Sequence, residues 1–171
     1  MFKNNTILAI IIAIVLAAII CFAIILCSVP KVTNINQTLQ AVRLDDSGTP
    51  IGTAEITLQG FSRNYLIQED RMYIEISSSD NYANVQINDP YGSRISSPNN
   101  VDLQTVFSAT YTDTGENVAV GILFDKDYSI WAFQFANQND VVWYVASTNE
   151  SRSTEDIIQY FGGLVPGYQS S

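Results

Sequence analysis

The chain contains no histidine, and its only two cysteines, Cys21 and Cys27, fall inside an uninterrupted apolar run near the N-terminus. The first absence removes the commonest general base, any serine-histidine-aspartate triad and the usual zinc ligands. The second leaves everything after that run without a thiol or a disulfide, so thiol catalysis and disulfide exchange are excluded there. Gly-x-Ser-x-Gly, Gly-x-Gly-x-x-Gly and the phosphate-loop pattern do not occur. A single Ser-x-x-Lys match, Ser28 to Lys31, brackets Pro30 at the end of the apolar run and has no catalytic context.

Positive charge is scarce as well. From Lys31 onward, seven Lys and Arg stand against 17 Asp and Glu, a formal charge of −10. Nucleic acid is excluded as a partner, because phosphate backbones are bound by clustered Lys and Arg that release counterions. The same deficit speaks against electrostatic docking on anionic headgroups.

The acidic residues themselves form no convincing catalytic or metal pattern. Asp125-Lys126-Asp127-Tyr128-Ser129 has oxygens at alternate positions, but Ile130 and Ala136 stand where a calcium loop needs Gly and Glu, so a hairpin turn is expected there. The adjacent pairs Asp45-Asp46, Glu69-Asp70 and Glu155-Asp156 sit where turns and helix starts favour acids for local reasons. No metal and no cofactor is expected, and the chain reads as a non-enzyme. A carboxylate-dependent glycoside hydrolase is the alternative, since that chemistry needs only two suitably spaced carboxyl groups.

What is present begins with the apolar run. After a polar head of residues 1–5 carrying Lys3, residues 6–29 form a candidate transmembrane helix, and Ile7 to Val29 holds 23 residues without a charge. At a rise of about 1.5 Å per residue this covers roughly 34 Å, enough for a hydrocarbon core of about 30 Å. A cleaved signal peptide has a shorter apolar core and small residues before its cleavage site, whereas Leu26 occupies the −3 position relative to Ser28. Leu26 before Cys27 and Ile20 before Cys21 do not suit lipoprotein processing either. The segment reads as an uncleaved, single-pass signal-anchor in the cell membrane. The short head with Lys3 is expected in the cytoplasm and the large C-terminal part outside it. An outer domain without disulfides points to a bacterial cell envelope. Ala9, Ala13 and Ala17 recur every four residues, a ridge of small side chains that would let two such helices approach, which leaves a homodimer open.

Residues 30–37 read as a short polar linker, and residues 38–171 as one extracytoplasmic domain. Ala54, Ile56 and Leu58 alternate with polar residues, as do Met72, Ile74 and Ile76, then Ala83, Val85 and Ile87, then Leu103, Phe107, Ala109 and Tyr111. This period of two is that of half-buried strands, and Gly, Pro, Asn and Asp clusters punctuate it with turns. VAVGILF, IWAFQFA and VVWYVAS are apolar on both faces, as expected of strands covered on both sides. Ser153 followed by Asp156 predicts a capping box, Ile157, Ile158 and Phe161 form one apolar stripe behind it, and Gly162-Gly163 stops the helix. The expected fold is mainly β, an antiparallel meander of about seven to nine strands forming a sandwich or small barrel with one short C-terminal helix.

Aromatic residues offer the best lead to a site. Trp131, Phe133 and Phe135 share one face of a strand, and Trp143 and Tyr144 point to opposite faces of the next. Core packing under the helix accounts for them. The functional alternative is a groove in which Trp131, Phe133 and Trp143 contact a glycan or extended peptide, with Tyr91 on its rim in the irregular stretch 89–100. The expectation drawn from the whole chain is a membrane-anchored, non-enzymatic binding or accessory domain. It would engage a protein partner in or near the membrane of a cell envelope, and the alternative is a cell-wall glycan binder.

Overall fold

The structure, a computed structural model, describes residues 2–80, 82–87, 93–95, 101–136 and 140–167. It opens with α1 (Phe2–Ser28), whose apolar side chains from Ile7 onward are exposed and which is long and apolar enough to cross a membrane. Ala9, Ala13 and Ala17 are exposed on this helix. Nine strands follow among the described residues: β1 (Lys31–Leu44), β2 (Pro50–Asn64), β3 (Arg71–Ser78), β4 (Val85–Ile87), β5 (Ser93–Arg94), β6 (Asp102–Tyr111), β7 (Asn117–Phe124), β8 (Ile130–Ala136) and β9 (Val141–Ser147). The chain continues into α2 (Thr154–Phe161) and a single 3-10 turn, Gly162–Leu164.

All pairings are antiparallel. Leaving aside the two-residue β5, which pairs with the start of β3, each strand lies beside its neighbours in the chain, and β9 returns to β1. Eight strands therefore close into a barrel, which decides between the sandwich and the barrel. An interior of eight strands is just wide enough to be filled by side chains. Residues 30–37 are not a separate linker. From Lys31 they form the first half of β1, paired with β2 from Lys31↔Asn64 onward. Their Asn and Gln content conceals an alternation in which Ile35 is the buried member, continued by Leu39 further along β1.

Two apolar cores share the barrel wall. The lumen is filled by the alternating residues of β1 to β4, including Ile56, Leu58, Met72 and Ile76, and by a column of rings. In that column Tyr128, Trp131 and Phe133 stack, with centroid separations of 5.8 Å and 5.6 Å, and Phe135 meets Tyr144 edge-on at 5.7 Å. The second core lies on the outer face of β8 and β9, where Ile130, Ala132, Trp143 and Val145 pack beneath Ile157, Ile158 and Phe161 of α2. The Trp131, Phe133 and Phe135 face thus points into the lumen rather than under the helix. A closed sheet has two buried faces where a helix covers its outside, and alternation alone does not say which is which.

The capping box forms as expected: Ser153 Oγ accepts from Asp156 N–H at 3.1 Å, and Asp156 Oδ2 accepts from Ser153 N–H at 3.2 Å. Gly162, at φ 59°, ends α2. The β6 alternation does not run unbroken, because a bulge between Val106 and Ala109 shifts the register and sets Leu103 opposite Leu123, a member of the outer core. Gly60 marks a close approach of β2 to β3. A Cβ there would sit 1.9 Å from the Tyr73 carbonyl oxygen, so no other residue fits without parting the two strands.

Truncating the centre of the ring column, Trp131→Ala, is expected to lower stability by about 3–5 kcal/mol. Denaturant titration of the detergent-solubilised chain checks this, and a loss under about 1 kcal/mol would mean that the lumen is not packed as described.

Candidate functional site

Trp131 and Phe133 have no exposed surface, and Trp143 is all but 8% covered beneath α2. As placed, none offers a ring face to a ligand. Tyr91 lies outside the described residues. One member of each acidic pair is engaged locally. Asp45 Oδ1 accepts from Ser47 N–H at 2.9 Å and Thr49 N–H at 2.8 Å, closing the β1–β2 turn, and Asp70 Oδ1 accepts from Tyr65 N–H at 2.6 Å. Asp125 closes the β7–β8 hairpin by accepting from Ser129 N–H at 2.6 Å and Ile130 N–H at 3.0 Å.

A feature that sequence reading missed lies along β1. One side of this strand pairs with β2 over its whole length, but the other meets β9 only through Ala41–Leu44 against Trp143–Ala146. Among the described residues, no strand continues the sheet beside Lys31–Gln40 on that side. Among the described residues, every second residue there presents its backbone N–H and C=O away from β2 without a ladder partner. Long open edges are usually blunted by prolines, bulges or charges. Here the outward side chains from Val32 to Gln40 are Val32, Asn34, Asn36, Thr38 and Gln40, all exposed and uncharged.

The edge is open yet held in place. Ile35 and Leu39 are buried in the lumen core. Between them Gln37 Nε2 donates to the Tyr128 carbonyl at 3.0 Å, and Gln37 Oε1 accepts from Trp131 Nε1 at 3.0 Å. Tyr128 reaches this position with φ 57°, a left-handed conformation uncommon for a ring-bearing residue. Beside the edge, where β9 ends, a groove of about 500 Å³ runs between Thr38–Gln40 and the loop from Ser147 to Arg152, floored by Val145 and Ile157. Its rim carries Glu55, Glu150 and Arg152, so both charge signs are present.

The opposite end of the barrel carries a polar cluster whose geometry is structural. Asp80 Oδ2 accepts from Tyr144 OH at 2.8 Å and lies 3.6 Å from Arg43 Nη1, while the Arg43 guanidinium sits 4.5 Å from the centre of the Tyr82 ring. Burial raises the Asp80 carboxyl, but hydrogen bonds from Ser78, Tyr144 and Tyr82 together with Arg43 outweigh it and hold the group below its usual range. Burial, and then the Asp80 carboxylate, push the Tyr144 phenol far above its ordinary value. Burial and Asp140 raise Tyr82 in the same direction. These groups tie the loop after β3 to the barrel wall.

Two consequences are measurable. Tyr144→Phe removes a hydrogen bond to a charged acceptor and is expected to cost about 1.5–3 kcal/mol in denaturant titration; a neutral effect would discount the cluster. The pH profile follows from the same groups. A lowered carboxyl stabilises the fold above its unfolded pKa of about 4 and ceases to do so as pH falls through its folded value. A raised phenol stabilises below its unfolded pKa of about 10 and ceases to do so as pH rises beyond it. With no histidine in the chain, the denaturation midpoint is expected to stay flat from about pH 5 to 9 and to drop on both sides. A titration near neutrality would contradict this.

No family model, no curated protein and no solved structure matches the chain.

Proposed function

We propose that this chain is a membrane-anchored, non-enzymatic binding domain that takes an extended segment of a partner protein along the free edge of β1. In the same reading α1 is an uncleaved anchor in a bacterial cell envelope, with the N-terminus cytoplasmic and the barrel outside. The observation that carries the proposal is the unpaired stretch Lys31–Gln40 beside a groove. Strand addition to an open sheet edge draws affinity from main-chain hydrogen bonds and selectivity from pockets for alternate side chains. The β2 ladder and the Gln37 contacts support a pre-organised edge, so little conformational freedom would be lost when a partner docks. The missing histidine and thiol chemistry and the locally engaged carboxylates support a binding role over a catalytic one. Burial of Trp131, Phe133 and Trp143 supports the protein-partner reading over the glycan one.

A photo-cross-linking side chain at Asn36 is expected to yield a reproducible protein adduct in intact cells, and the same group at Ser47, at the opposite end of the barrel, none. Equal patterns at the two positions, or no adduct at either, would refute the proposal. For orientation, Ser47→Cys is expected to react with a membrane-impermeant maleimide on intact cells, whereas protection until lysis would reverse the assignment.

A further inference from the structure

The large hydrophobic residues most exposed among those described are not on α1. They are Leu66 and Ile67, at 77% and 72%, in the loop between β2 and β3. We infer that this loop tip dips into the surface of the membrane that α1 crosses, giving the barrel a second lipid contact; the inference rests on the anchor reading above.

The position of the loop comes from the β1–β2 register. Lys31, three residues after the end of α1, pairs with Asn64, and the chain leaves β2 in the direction from which β1 arrives. The loop and the C-terminal end of α1 therefore both adjoin the same end of the β1–β2 ladder. Val29 and Val32, at the same end of the barrel, are also more than half exposed.

The surroundings suit a headgroup boundary. Lys31, Arg63 and Arg71 stand at this end of the β1–β2–β3 wall, within one or two register pairs of the loop. Long basic side chains lay their stems along apolar surface and keep their charges in the polar layer. The Arg63 guanidinium lies 5.2 Å from the ring centres of both Phe61 and Tyr73, which stack at 4.7 Å, and aromatic rings concentrate at such boundaries. The loop is also shaped to present its tip. Asp70 joins its two ends by accepting from Tyr65 N–H at 2.6 Å, and the Asp70 carbonyl accepts from Ile95 N–H, just after β5, at 2.8 Å. Apolar burial drives the contact, so it requires no anionic lipid, in keeping with the acidity of the domain.

The test uses the full chain with Cys21→Ala and Cys27→Ala, carrying Leu66→Cys labelled with a polarity-sensitive fluorophore, reconstituted in phosphatidylcholine vesicles. Thr114→Cys, in the β6–β7 turn at the other end of the barrel, is the control. A blue-shifted emission at position 66 that is quenched several-fold more by a nitroxide on the upper acyl chain than the emission at position 114 is the expected result. Water-like emission at both positions, in a chain that floats with the vesicles after an alkaline wash, would overturn the loop contact and leave the anchor standing. A chain that fails to float would overturn the anchor, and the loop inference with it.

Discussion

The architecture depends on how β1 is shared between two neighbours. Its pairing with β2 runs the whole length of the strand, whereas its pairing with β9, the one that closes the barrel, uses only four residues. Closure by this short seam creates a lumen narrow enough to be filled by side chains and turns an open meander into a barrel. Among the described residues, the same short seam leaves ten residues of β1, from Lys31 to Gln40, without a second strand. Stability and the candidate binding surface thus come from one feature of the register.

The seam holds because both of its faces are buried. On the inside, Ala41 and Ala146 belong to the lumen core, beside the column of rings contributed by β8 and its preceding turn. On the outside, Leu44 and Trp143 lie opposite each other under α2. The helix is short and relies on its capping box and three apolar side chains, but it covers the strand on which closure depends. At the far end, Asp80, Arg43 and Tyr144 join β1, β9 and the loop after β3 across the same seam. Away from it, among the described residues, the rest of β1 is held by β2 and by inward contacts such as Gln37, and its backbone groups facing away from β2 have no strand partner.

Much of this was legible in the chain because it is local. The strands with Ala54, Ile56 and Leu58 and with Met72, Ile74 and Ile76 show their inward residues by simple alternation, and α2 is spelled out from its cap at Ser153 to its stop at Gly162. What was not legible is set by contacts between distant parts. Lys31 to Gln37 reads as a polar linker until β2 is known to pair with it, since Ile35 alone is fully buried within that stretch. The rings at Trp131 and Phe133 show which residues share a face, but whether that face is lumen or outer wall depends on closure between β1 and β9, roughly a hundred residues apart. The β6 bulge has no signature in residue type. The free edge is the hardest of all to foresee, because it is defined by where a partner strand ends.

Residue-resolved amide hydrogen exchange across β1 tests the central claim most directly. If the edge is open, alternate amides between Lys31 and Gln40 should exchange by orders of magnitude faster than their neighbours bonded to β2, while Ala41–Leu44 remain protected on both sides. Uniform slow exchange from Lys31 to Leu44 would show that the edge is already paired and would contradict the account.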